Sequence, residues 1–430
     1  MELQAIDWIV ILGFLGLIIG ISLRYTQQAG KNIESFFLGG RNLPWWIAGT
    51  SMVATTFAAD TPLLITELVA KNGISGNWLW WNGLIGGMLT AFFFSKLWRR
   101  AQIVTDVELI ELRFDGKPAA YLRGFKAVYF GLFLNAVIIA WVNLALMALL
   151  EVFFDLSDSE QLWYAALAML IVATYTSLSG LSGVAITDFI QFLVAMGGCI
   201  ALAFIVLDAD TVGGIEGLRA KLPEASFSFF PKIGSETGAE VYAIGFASFF
   251  AFVGMQWWAS WYPGAEPGGG GYVAQRMMST KDESSATKAT VLFQIAHIAL
   301  RPWPWILVAL AAAALYPDLP EESKRLGYVM AMKEFLPPGL KGLLLAAFFA
   351  AYMSTISTQL NWGASYLVND LYGRFMAPKA TDKQTVLSSR VATVLVMIGG
   401  LTTTVFLNTM EEAFVFMISC GAGLGLVLIL

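Results

Sequence analysis

The stretch Ala48-Gly-Thr-Ser-Met-Val-Ala-Thr-Thr-Phe-Ala-Ala-Asp-Thr-Pro-Leu-Leu-Ile-Thr-Glu-Leu-Val69 decides how this chain folds. It is apolar and long enough to cross a bilayer, yet its middle carries Thr55, Thr56, Asp60, Thr61 and Pro62. A carboxylate at the centre of a bilayer costs roughly 3 kcal/mol on insertion scales, so an intramembrane Asp marks a functional site. Pro62 lacks an amide hydrogen and clashes with the turn before it. That predicts a helix break at Asp60–Pro62 and freed carbonyls around Ala58. Freed carbonyls with hydroxyls suit a hard cation, and the new helix start suits an anionic group. A plain proline kink whose polar groups satisfy one another reads from the same residues.

The rest of the composition agrees with a membrane setting. Of 430 residues, 57% are hydrophobic and only 13% charged, which excludes a soluble globule and indicates a polytopic helical membrane protein. The two cysteines, Cys199 and Cys420, lie in apolar runs and make neither a disulfide framework nor a metal cluster. His297 is the sole histidine, which removes histidine-based metal sites. The N-terminus lacks a basic region, so the first apolar segment reads as a retained span rather than a cleaved signal.

Hydropathy predicts eleven spans, at 7–24, 44–70, 77–98, 123–153, 160–178, 183–207, 239–262, 285–315, 341–371, 386–408 and 411–430. With the N-terminus outside, the inner loops hold 17 of the 26 basic residues, so the positive-inside rule favours that orientation. Asp106–Phe114 reads as a short amphipathic helix on the inner surface. Residues 208–238 form a longer outer connection. The glycine-rich stretch 263–271 lacks a following Gly-Lys-Ser/Thr and reads as a flexible connector rather than a phosphate loop.

One regularity organises these spans. Omitting the first, 7–24, leaves ten that divide into halves of five, 44–207 and 239–430. The opening span of each half is interrupted: the first at Asp60–Pro62, the second by polar residues Gln256 to Ser260 and by Pro263-Gly264. Interrupted spans at matching positions point to an inverted-repeat transporter with its site at the midplane. An odd number of spans per half forces the halves into opposite orientations. In the eighth span of the ten, Ala351, Ser354, Thr355, Thr358 and Asn361 follow helical spacing and form one polar and small-residue stripe. The same stripe also fits close helix packing through small residues.

Several motifs then resemble the sodium:solute symporters, the family of sodium-coupled sugar, proline, pantothenate and sialic acid carriers. They are Phe37-Leu38-Gly39-Gly40-Arg41 with Pro44-Trp45-Trp46 and Ser51, and Tyr175 to Gln191 with Gly180, Gly183, Thr187 and Asp188. Gln275-Arg276 and the Ala351…Ser354-Thr355…Asn361 stripe complete the set. The resemblance runs from about residue 7 to 430. It implies an all-α, leucine-transporter-type 5+5 inverted repeat with one extra N-terminal helix, in a single domain spanning 1–430. It also implies a sodium ion held by the carbonyls of Ala54, Phe57 and Ala351 and the hydroxyls of Ser354 and Thr355. Asp188 matches an acidic position near that ion; helix capping or pairing with an inner arginine is its other reading. Substrate is implied between the two interrupted spans, near Thr56, Asp60, Thr61, Gln256 and Trp257. Trp80 and Trp81 are further candidates, although an interfacial aromatic belt explains them equally.

Arg301, inside a span, is no part of that resemblance. It fits neutralising Asp60, binding a substrate carboxylate, or snorkelling to the interface. The expected function is a non-enzymatic, sodium-coupled symporter of a bacterial inner membrane. It would import a small polar organic solute, sugar or amino acid, by alternating access. Its expected partners are that solute, Na+ and the lipid bilayer, with no nucleic acid. A membrane sensor domain and a non-transporting subunit are the alternatives; members of that family usually continue past the tenth span, where this chain stops at Leu430.

Overall fold

The computed structural model describes residues 3–58, 60–234 and 268–407, with isolated positions between 243 and 254 and between 416 and 420. Most of the expected spans 239–262 and 411–430 lie outside the described residues, as do Gln256 and Trp257. Among the described residues six helices are long and apolar enough to cross a membrane. They are Ala5–Ala29, Gly116–Phe154, Asp158–Asp208, Glu283–Leu315, Leu340–Met376 and Asp382–Phe406. A seventh candidate is a bent pair, Trp45–Thr55 with Asp60–Asn72, at 57°. The expected span 77–98 is built from short helices, Trp78–Trp81, Leu84–Leu89 and Ser95–Ala101, with a π-helical turn at Thr90–Phe94. Beyond helix and loop, Lys232–Gly234 and Ala243–Gly245 pair in parallel.

The expected spans 160–178 and 183–207 form one helical stretch, Asp158–Asp208, interrupted at Gly180. Its start is closed by Ser157, whose hydroxyl donates to Glu160 Oε2 at 2.6 Å, while its own amide donates to the same oxygen at 2.9 Å. Gly180 takes φ +57, a left-handed value that only glycine adopts freely, and a Cβ there would meet the Phe36 carbonyl at 2.7 Å. The chain therefore turns where the segment Ile33–Leu38 presses against it.

In hydrocarbon, helices gain little from hiding apolar groups on one another. Close approach through small residues and interhelical hydrogen bonds hold them together instead. Gly49 illustrates the first: a Cβ there would meet the Ala289 carbonyl at 2.6 Å, so Trp45–Thr55 lies backbone to backbone on Glu283–Ile295. Asp7 illustrates the second. Its Oδ1 accepts from the amides of Gly339 and Gly342, both at 2.8 Å, at the start of the helix Leu340–Ser365. A carboxylate at a helix N-terminus meets both the open amides and the positive end of the dipole. Ile11, Phe14 and Ile18 continue that contact along Leu345, Ala346 and Ala350.

The helix Leu340–Ser365 is the centre of the bundle, with nearly every residue buried. Its polar stripe is one buried face among others, because neighbours surround the helix. The amphipathic segment appears as Asp106–Glu108 and Leu109–Arg113. The far end of the glycine-rich stretch is pinned rather than loose. Gly268 N donates to Thr90 Oγ1 at 3.0 Å, and Gly271 N donates to Asp106 Oδ2 at 3.1 Å.

Candidate functional site

The break falls earlier than Pro62 suggests. The first half ends at Thr55 and the second starts at Asp60, so Pro62 sits in the first turn of the second half. There a missing amide hydrogen has no carbonyl to lose, and proline is tolerated. The freed carbonyls belong to the last turn before the break, at Val53, Thr55 and Thr56, rather than to Ala58. Asp60 places its carboxylate at the positive start of the second half.

On one side of the break a buried cluster gathers four elements. Thr355 Oγ1 donates to the Thr55 carbonyl at 2.8 Å and also lies 3.2 Å from the Ala351 carbonyl. Ser354 Oγ donates to Asp188 Oδ1 and Ser51 Oγ to Asp188 Oδ2, both at 2.5 Å. Ala54, Phe57 and Ala351 are buried with them. The hydroxyls of Thr55 and Thr358 lie 3.1 Å apart. Of the six residues expected around the ion, Ser354, Thr355, Asp188 and the Ala351 carbonyl are joined directly in this network. The Ala54 carbonyl accepts the Phe57 amide at 2.9 Å.

Arg276 completes the cluster. Its Nη2 donates to Thr358 Oγ1 at 2.6 Å, its Nε to Ser51 Oγ at 3.1 Å, and its Nη1 to Gln275 Oε1 at 2.8 Å. Nη2 stands 3.8 Å from Asp188 Oδ2, with both side chains wholly buried. Asp188 thus pairs with an arginine while also accepting from Ser354. The motif Gln275-Arg276 is visible in the sequence, but nothing there says that it reaches this carboxylate.

A second cluster lies on the other side of the break. Arg301 is fully buried, so it does not snorkel. Its Nη1 donates to Thr56 Oγ1 at 2.5 Å and to the Val53 carbonyl at 3.2 Å, and its Nη2 donates to the Thr56 carbonyl. A fixed cation therefore caps the C-terminal end of the first half-helix, where carbonyls and dipole both favour positive charge. Arg301 Nη1 is 3.1 Å from His297 Nδ1, which must accept because arginine only donates. The guanidinium carbon lies 5.0 Å from the Trp305 ring, 5.3 Å from Phe57 and 5.5 Å from Trp80. Thr61 Oγ1 stands 3.5 Å from Arg301 Nη2 and 3.4 Å from Asp60 Oδ1.

Thr56, Asp60, Thr61 and Trp80 are thereby brought together. Trp80 is 4% exposed and donates from Nε1 to the His297 carbonyl at 2.9 Å, which rules out the interfacial-belt reading for it. Trp81 stacks on Phe229 at 4.7 Å instead. His297 was unforeseen. The signal available was its place four residues before an intramembrane arginine, but a π-helical turn at Ala296–Leu300 shifts the face that such spacing predicts.

The family model of the sodium:solute symporter family matches residues 36–426. The sodium/glucose cotransporter of Vibrio parahaemolyticus is 26% identical over 436 residues, covering 96% of this chain and 77% of that one. The sodium/sialic acid symporter SiaT of Proteus mirabilis is 27% identical, with 92% and 76% covered. A solved structure of a Na+-coupled sialic acid symporter, in a substrate-bound outward-open state, superposes with a TM-score of 0.75. It has 21% identity and covers 97% of this chain and 86% of that one, a likeness of fold.

Proposed function

We propose, because the chain belongs to the sodium:solute symporter family and has its leucine-transporter-type fold, that the two clusters divide the work of sodium-coupled solute import. Sodium is assigned to the carbonyls of Ala54, Phe57 and Ala351 and the hydroxyls of Ser354 and Thr355, with Asp188 beside them. Substrate is assigned to Thr56, Asp60, Thr61 and Trp80 across the break; Gln256 and Trp257 belong to the same proposal. A hard monovalent ion takes several oxygens and needs little fixed charge, which matches carbonyls and hydroxyls around one carboxylate. The membrane is proposed to be a bacterial inner membrane.

The observation that carries this reading is the hydrogen bond from Thr355 to the Thr55 carbonyl, beside Ser354 on Asp188. It brings the hydroxyl pair to the freed end of the broken helix. An ion taken there would tie the half-helix to Leu340–Ser365, and its loss would release it. That is a lever for alternating access around a fixed site. Each sodium entering down 100 mV releases about 2.3 kcal/mol, and with a tenfold gradient this supports roughly 500-fold accumulation of solute.

The test is sodium-dependent uptake in proteoliposomes. Ser354→Ala with Thr355→Val is expected to raise the sodium concentration for half-maximal transport about tenfold or more, while the protein remains folded. An unchanged sodium dependence removes the assignment. A chain that binds sodium but never moves a solute is a sensor or a subunit, not a carrier.

A further inference from the structure

The substrate cluster holds two opposite charges that do not touch. Arg301 and Asp60 are both buried, and among the described residues no direct ion pair joins them. Thr61 stands between, 3.5 Å from the guanidinium and 3.4 Å from the carboxylate. The Nη atoms of Arg301 are spent on the backbone and hydroxyl of the break and on His297, while its buried Nε has no partner among the described residues. Asp60 Oδ1 has a long side-chain contact from Thr61, and the backbone amides of Asp60 and Thr61 also hydrogen-bond its carboxyl, but among the described residues no cation touches it.

Resting on the transport reading above, we propose that the solute is a zwitterion. Its carboxylate would face Arg301 and its ammonium or quaternary nitrogen Asp60, in the class of amino acids and betaines. In a medium of low dielectric a buried charge needs its counter-charge close by. A solute with both signs supplies each at once and leaves the site neutral. A monoanion satisfies Arg301 but sets a second negative charge near Asp60. A neutral polyol leaves both charges as they are. Sodium does not stand in for the missing ammonium, since its assigned ligands gather with Ser354, Thr355 and Asp188 rather than around Asp60. Phe57, Trp80 and Trp305 surround the guanidinium at 5.0 to 5.5 Å, so the half of the solute that reaches Arg301 meets aromatic rings. The class therefore differs from the solutes for which the sialic acid and glucose carriers are named.

Thermal unfolding of the purified full chain in detergent, with and without sodium, tests this. The panel is the standard amino acids, glycine betaine, propionate, propylamine, glucose and sialic acid. At least one zwitterion should stabilise the protein in sodium, and the others should not. Asp60→Asn is the cleaner variant, because Arg301 also caps the break. It should weaken the zwitterion roughly tenfold to a hundredfold, the worth of one charge-assisted contact, and improve binding of propionate. Arg301→Gln should weaken it as much without that gain. Retained stabilisation by sodium reports that each variant is folded. Stabilisation by sialic acid, propionate or glucose but by no zwitterion overturns the inference, as does no solute effect at all, or zwitterion binding unchanged in Asp60→Asn. If sodium itself fails to stabilise the wild-type chain, the transport reading falls first.

Discussion

Arg276 and Asp188 show what a single residue costs in this bundle. Both are wholly buried, 3.8 Å apart, and each is also hydrogen-bonded to hydroxyls from other helices. Breaking a buried pair from one side leaves a charge that nothing repays, typically about 3–5 kcal/mol. Arg276→Met is therefore expected to lower unfolding stability by that order. Adding Asp188→Asn should recover much of the loss, because the stranded charge is gone. Thermal or urea unfolding in detergent measures both, and a double variant as unstable as the additive sum would refute the pairing. Arg301 carries the same lesson for reading sequence. An arginine inside a span is visible at once, whereas its partners, Val53 and Thr56, are backbone carbonyls about 250 positions away and leave no mark of their own.

Among the elements, the first helix and the broken one do different work. Ala5–Leu23 precedes the broken helix, yet its Asp7 caps the helix that carries Ser354 and Thr355. Asp7→Ala strands two amides at that helix start and removes a favourable dipole interaction. A loss of about 1–3 kcal/mol is expected, whereas Asp7→Asn, which keeps an acceptor, should lose less. Equal unfolding midpoints for the wild type and Asp7→Ala would show that the cap is idle. The broken helix was legible as a break, because an Asp and a Pro within an apolar run violate the rule that spans satisfy their own backbone. Its position was legible only to within a turn, since a proline is tolerated inside the first turn of the half that follows.

At the scale of the whole molecule, three helical segments are clamped together by ions. Arg374 and Arg123 both donate to Glu111, at 2.9 and 2.8 Å, and Arg123 Nε donates to Asp370 Oδ1 at 2.6 Å. Hydrogen bonds from Arg374, with Arg123 adding to them against a burial cost, hold the Glu111 carboxyl below its ordinary value. A depressed folded-state pKa gives stability that is full above the unfolded glutamate value, about 4.3, and fades as pH falls through the lower one. Unfolding midpoints should thus drop on acidification below about pH 4, and Glu111→Gln should flatten that drop. An identical acid limb in both proteins would exclude Glu111 as its source. The sequence by itself determined that the chain is built of apolar helices and that one of them breaks around a carboxylate. Those outcomes depend on local apolarity and on backbone groups that each span must satisfy internally. The family motifs also marked Ser354, Thr355 and Asp188. Only the tertiary structure decided which side chains claim the freed carbonyls: Thr355 for Thr55, and Arg301 for Val53 and Thr56. These contacts span up to 300 positions. They exist because packed helices hold donors and acceptors together in a medium with no water to take their place, and no local pattern encodes that meeting.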